Sequence, residues 1–216
     1  MSRDVLLALD ASAGPASVAL FIDGALRDAR RIDRQGSAEL LAPTISAMLG
    51  DAGLAGAQLT AIAVGEGPGS FTGLRVAAAL AKGLARGAGA TLHAMPSLPL
   101  IAAARDDASV GRFLCVLDAL RGEWFVQAVT CADRGHCIVE GPVERLPVAA
   151  VHERAAAHGA VVIGPPVDPA RQPEARAALV VGIRAVARDA WEPDYGRLAE
   201  AQVQWEATHA RALPAS

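Results

Sequence analysis

Val5-Leu6-Leu7-Ala8-Leu9 is a continuous apolar run closed by Asp10, the pattern of a strand buried on both faces. A turn of small residues, Ala11-Ser12-Ala13-Gly14-Pro15, leads to a second strand at 17–22. Asp23-Gly24 is a strong two-residue hairpin signal, and 25–30 forms the returning strand. Ser37 then predicts the N-cap of a helix reaching about residue 49. Leu41, Ile45 and Met48 share one face of it, Leu40 and Leu49 widen that face, and Gly50 and Gly53 end it. Pro43 is tolerable near the first turn. A strand at 61–64, a glycine loop, a helix over 72–86 and a strand at 91–95 follow, the last broken by Pro96 and Pro99.

A second unit begins near Arg112. Phe113-Leu114-Cys115-Val116-Leu117 is a buried strand ending in Asp118, and strands are expected at 123–130 and 136–140, joined by a turn at Asp133-Arg134-Gly135. A helix over 148–158, a strand at 161–163 and a helix over 174–189 complete it, and the chain after Trp191 reads as a docked tail. Both halves open with an apolar strand ending in aspartate and continue through a hairpin into alternating helix and strand. The repeat predicts an α/β fold of two lobes, 1–104 and 105–216, each a mixed sheet with flanking helices.

The loop Gly65-Glu66-Gly67-Pro68-Gly69-Ser70-Phe71-Thr72-Gly73-Leu74-Arg75 joins a strand to a helix N-terminus. Such a loop either cradles a phosphate on free N–H groups or turns the chain tightly. Its spacing fails three catalytic patterns. No lysine follows Gly73 as a P-loop requires, the dinucleotide fingerprint has one residue too many, and Pro68 stands where a nucleophile elbow has glycine. Asp10, Gly69, Ser70 and Asp118 remain candidate phosphate- or nucleotide-proximal residues. In the helix that follows, Arg75, Lys82 and Arg86 share one arc, and the rest is apolar or small over roughly 22 Å. That breadth needs cover on two sides. The sheet supplies one; the neighbouring helix or a partner subunit supplies the other, and the pattern leaves both open.

A net charge of −3 over 216 residues argues against a stand-alone nucleic-acid binder. Three cysteines without CxxC spacing, and no signal-peptide or membrane-length segment, predict reduced thiols and a cytoplasmic location. The five histidines lack HxxxH or HExxH spacing, so no metal site is expected.

Leu7-Ala8-Leu9-Asp10 with Ser17-Val18-Ala19-Leu20, the loop 65–75 with Ala81-Lys82-Gly83-Leu84-Ala85, and Leu117-Asp118-Ala119 with Arg121-Gly122-Glu123 resemble the TsaB (older name YeaZ) family. The resemblance covers about residues 5–125. It implies a two-lobed actin/hexokinase-like (ASKHA) fold and a non-catalytic subunit in threonylcarbamoyladenosine synthesis on tRNA. It implies pairing with the catalytic subunit TsaD, action with the ATPase TsaE, a homodimer in TsaD's absence, and tRNA contact only through the complex. No cofactor of its own is implied, ATP and metal being expected on the partner subunits. The implied interface lies on the two helices of the first lobe, at Leu40, Leu41, Thr44, Met48, Phe71, Leu74, Arg75, Ala78, Ala81 and Lys82. The alternative is a stand-alone nucleotide-hydrolysing enzyme with Asp10 and Asp118 across a cleft. Two departures stand out: Gly36-Ser37 replaces the histidine–serine pair common at the first helix, and the PVYLR-like C-terminal segment is not recognisable, Ala201-Gln202-Val203-Gln204-Trp205 standing in its region.

Overall fold

A computed structural model describes residues 3–33, 37–105, 110–133 and 136–196. The first sheet begins with β1 (Val5–Asp10), β2 (Ala16–Ile22) and β3 (Ala25–Ile32), an antiparallel meander whose Asp23-Gly24 turn takes positive φ at both residues. A 3-10 turn, Ser37–Leu40, precedes α1 (Leu41–Asp51). The α-helix therefore starts later than the sequence suggests, which places Pro43 in its first turn, where no intrahelical N–H bond is lost. Next come β4 (Ala61–Gly65), α2 (Phe71–Ala88) and β5 (Thr91–Met95). β4 lies parallel to β1 and β5 parallel to β4. Because β1 has neighbours on both sides and helices over both faces, all six of its residues are buried, as its unbroken apolar run requires.

Pro96 and Pro99 do not simply break the chain. They open α3 (Ser97–Ala103), with Pro96 at the N-cap and Pro99 in the first turn. Leu100 packs on the first sheet beside Leu6, Ala8 and Met95, whereas Leu98 and Ile101 pack against Phe113, Leu117 and Phe125 of the second. α3 is thus the apolar piece shared by the two cores.

The second sheet contains β6 (Gly111–Asp118), β7 (Glu123–Asp133), β8 (His136–Pro147) and, after α4 (Val148–His158), β9 (Val161–Ile163). Its order, β8-β7-β6-β9, repeats the β3-β2-β1-β4 order of the first sheet, with β9 parallel to β6. These are the duplicated mixed sheets of an actin/hexokinase-like fold. β7 and β8 run well past the expected ends. Cross-strand pairing sustains them despite Gly141 and Pro142, which sit within the register shift, between the Val126–Glu144 and Ala128–Glu140 pairs. In the expected turn before β8, Arg134 and Gly135 lie outside the described residues.

Three further expectations are corrected. Residues 174–189 do not form one helix; they give a 3-10 turn (Ala175–Ala177), α5 (Ala178–Val181) and β10 (Arg184–Ala185). Gly182 ends α5, and β10 pairs with β5, completing the first sheet. A cut after residue 104 therefore misassigns this stretch. Ser17 Oγ donates to Pro173 O and accepts from Ala175 N, so the chain is already back on the first sheet there. Finally, Cys131 and Cys137 are register partners on β7 and β8 and form a disulfide, leaving Cys115 as the free, buried thiol. Burial raises the Cys115 pKa to about 12, so it is an inert core residue.

Candidate interlobe loop and docking helix

The glycine loop lies between two other pieces of backbone. On one side is the β1–β2 turn: Ser70 N–H donates to Ser12 O at 2.7 Å. A methyl on Gly73 would stand 2.0 Å from Ala11 O, and one on Gly69 would stand 2.1 Å from Ser12 O. Gly69 also has φ of 152°. Glycine is required here because carbonyl groups occupy the space a side chain needs.

Several of the loop's amides have internal partners. Glu66 N–H donates to Met95 O, and Gly67 N–H donates to Ser97 Oγ at 3.1 Å. Gly73 N–H reaches Ser70 Oγ at 3.2 Å, which makes Ser70 the N-cap of α2. Ser97 Oγ in turn donates to Asp10 Oδ2 at 2.6 Å, and Asp10 Oδ1 accepts from Ser12 N–H and Ser12 Oγ at 2.9 and 2.7 Å. Asp10 is 1% exposed. Burial pushes its carboxyl above the usual aspartate range, against the opposing pull of the three bonds from Ser12 and Ser97. The residue ties the end of β1 to the loop and to the start of α3.

Asp118 is exposed and caps its own turn by accepting Leu120 N–H at 2.8 Å. It lines an interlobe cleft of about 380 Å³ together with Ser12, Gly69, Ser70, Phe71 and Pro165. Of the four nucleotide-proximal candidates, Gly69, Ser70 and Asp118 meet at this cleft, and Asp10 lies in the interior behind it. Glu123 pairs with Arg145. Among the described residues no group of three His, Cys, Asp or Glu side chains is placed to hold a metal ion.

The structure divides the ten expected interface residues. Leu41, Met48, Leu74, Ala78 and Ala81 are buried in the chain's own core, Leu74 completely. Leu40 and Thr44 are half-buried, as are Phe71 and Lys82, and Arg75 is exposed. Cover for the broad apolar helix is therefore largely intramolecular: sheet on one side, the 37–40 and 56–58 turns on another. What α2 presents to solvent is Thr72, Arg86 and the set Arg75, Ala79, Gly83 and Gly87. The last four recur every fourth residue, a signal that was available in the sequence. The Ser37 side chain and Gly36 lie outside the described residues.

The third side of α2 carries a segment whose position the sequence did not disclose. Residues 187–196 run antiparallel to the helix along its basic arc. Asp189 pairs with Arg86 at 2.8 Å, and Glu192 with Lys82 at 2.7 Å. Trp191 is buried with Lys82 Nζ 5.9 Å from its ring centre, and Tyr195 lies against Phe71 at 4.6 Å between centroids. Asp194 N–H donates to Glu66 O at 2.7 Å, and Asp194 O fills the space beside Gly67. The segment 201–205 lies outside the described residues, but Pro193-Asp194-Tyr195-Gly196-Arg197 has the proline, tyrosine and arginine spacing of the C-terminal segment that was expected to be missing.

A family model described as TsaD, tRNA N6-adenosine threonylcarbamoyltransferase, matches residues 31–134. The TsaB proteins, named for tRNA threonylcarbamoyladenosine biosynthesis, of Haemophilus influenzae and Escherichia coli are 42% identical over 88 residues and 32% identical over 120 residues. These alignments cover 41% and 55% of this chain, and 37% and 52% of the relatives, so the chain spans about half or less of their length. YeaZ from Pseudomonas aeruginosa superposes with a TM-score of 0.72 at 25% identity, over 89% of this chain and 99% of that one. Over these spans the chain is similar to proteins of the TsaB/YeaZ family. The glycine loop is the joint that seats α2. No helix among the described residues is long and apolar enough to cross a membrane.

Two stability measurements check this joint. Gly73→Ala costs about 3 kcal/mol or more, the upper end of overpacking, because the Ala11 carbonyl cannot retreat without moving β1. Gly83→Ala, which meets nothing within 4 Å, gains about 0.5–1 kcal/mol from helix propensity in the same urea titration. The pH dependence of Asp10 has a defined sign. Its folded pKa lies above its unfolded value, so its contribution is present at low pH and is lost as pH rises through the raised value. The stability of the parent protein relative to Asp10→Asn therefore falls as pH increases from acid to neutral, measured by urea unfolding at a series of pH values.

Proposed function

We propose that this chain is a non-catalytic subunit in the synthesis of threonylcarbamoyladenosine on tRNA, and that it docks the catalytic subunit TsaD through the exposed surfaces of α1 and α2. The observation that carries the reading is α2 itself: a long helix seated by the glycine loop, with a small-residue face left to solvent. The similarity to proteins named TsaB supports it, and the TsaD-like match over 31–134 spans both helices. A TsaD-like partner with related helices would meet this surface in a nearly two-fold arrangement, and the same surface would serve a homodimer. In this reading TsaE acts within the assembled complex, ATP and metal reside on the partner subunits, and tRNA is contacted only through the complex. The work is done in the cytoplasm.

The geometry gives the chain little chemistry of its own. Ser70 Oγ is held as a helix cap, and Asp10 is held by Ser12 and Ser97. The alternative, a nucleotide-hydrolysing enzyme, rests on the cleft at Asp118 and needs Asp10 to act across it, which the hydrogen bonds to Asp10 oppose.

Gly83→Glu tests the docking surface. The position is open, so the variant folds with an unchanged circular dichroism spectrum. The expected result is loss of co-purification with TsaD and at least about tenfold weaker affinity in calorimetry, as expected for a charge placed in an interface core. Undiminished binding would contradict the surface.

A further inference from the structure

Residues 187–196 touch three parts of the molecule at once. Their acidic side chains meet the basic arc of α2, their backbone fills the space beside Gly67, and Gly196 stands against Pro68 of the first lobe and Phe125 of the second. Tyr195 also packs on Phe71, which lines the interlobe cleft. We propose that this strap is an electrostatic latch that couples the end of the described chain to the wall of the cleft through Tyr195 and Phe71.

The forces holding it favour that role over a purely structural one. The acidic partner in each ion pair is solvent-exposed, the Glu192 and Asp189 side chains being 68% and 69% accessible, and Lys82 is half-buried. Pairs of that kind are weak and screened by salt. The anchors that resist release are Trp191, Pro193 and the Asp194–Glu66 backbone bond. A segment held by a few anchors and screened charges opens before the core does. When it opens, Phe71 loses its ring partner and the Gly67 turn loses the carbonyl that packs on it, so the cleft side of the loop loosens as well. By reciprocity, an occupant of the cleft that packs on Phe71 tightens the strap, and a partner that takes Lys82 or Tyr195 loosens the cleft wall. The latch does not depend on the identity of the docking partner.

Residue-resolved amide exchange on the full chain tests it. The reporters are Asp194 N–H for the strap, Ser70 N–H for the cleft wall and Leu7 N–H for the core. In Asp189→Lys/Glu192→Lys, Asp194 exchange rises about tenfold, Ser70 exchange rises with it, and Leu7 is unchanged. Raising salt from about 20 to about 500 mM moves the parent protein in the same direction. Should the double variant accelerate Leu7 as well, the salt series on the parent and the uncharged variant Tyr195→Ala decide the matter, the latter loosening Ser70 without removing a charge. Faster exchange at Asp194 with Ser70 unmoved would make the strap a mere cover. Indifference of both amides to salt and to charge reversal would remove the latch altogether.

Discussion

The structure depends on backbone meeting backbone at the glycine loop. Ala11 and Ser12 press on it from the β1–β2 turn, and Asp194 presses from the strap. Gly69 and Gly73 leave room for the first contact and Gly67 for the second. Asp10 reinforces the junction from inside through Ser12 and Ser97. Three elements distant in sequence, the end of β1, the start of α3 and the strap, are thereby fixed around the N-terminus of α2. The direction of that helix, the face it shows to solvent and the cleft beside it all follow.

This changes what the glycines mean. A glycine-rich loop before a helix invites the reading of an anion cradle, and the helix dipole would favour one. A cradle needs amides facing open space, yet here Glu66, Gly67, Ser70 and Gly73 all donate inward. Gly73 makes the distinction clearest, because it lies inside the helix and would be a liability there were Ala11 O not in its path.

Local structure was legible wherever local rules governed it. The meander, the Asp23-Gly24 turn, α2 and the repetition of the two lobes follow from alternation, turn chemistry and apolar runs. Features set by distant contacts were not legible. α3 hides behind two prolines that read as breakers but sit where a helix tolerates them. The stretch 174–189 reads as one helix, whereas Ser17 and β5 draw it onto the first sheet. Cys131 and Cys137 show no motif spacing because their pairing is set by the register of β7 and β8. Among the site residues, the breadth of the apolar arc on α2 is visible in the sequence, but Leu41, Met48, Leu74, Ala78 and Ala81 satisfy it internally. The exposed stripe through Ala79 and Gly83 emerges only once that internal cover is known.

The central claim is that the loop is an internal joint rather than a ligand cradle. It is tested most directly by titrating the isolated chain with magnesium and ATP while following the amide resonances of Gly67, Ser70 and Gly73. The account predicts that these three resonances stay in place at millimolar nucleotide. Saturable shifts at all three would show that the loop's amides turn outward to a phosphate, and would contradict it.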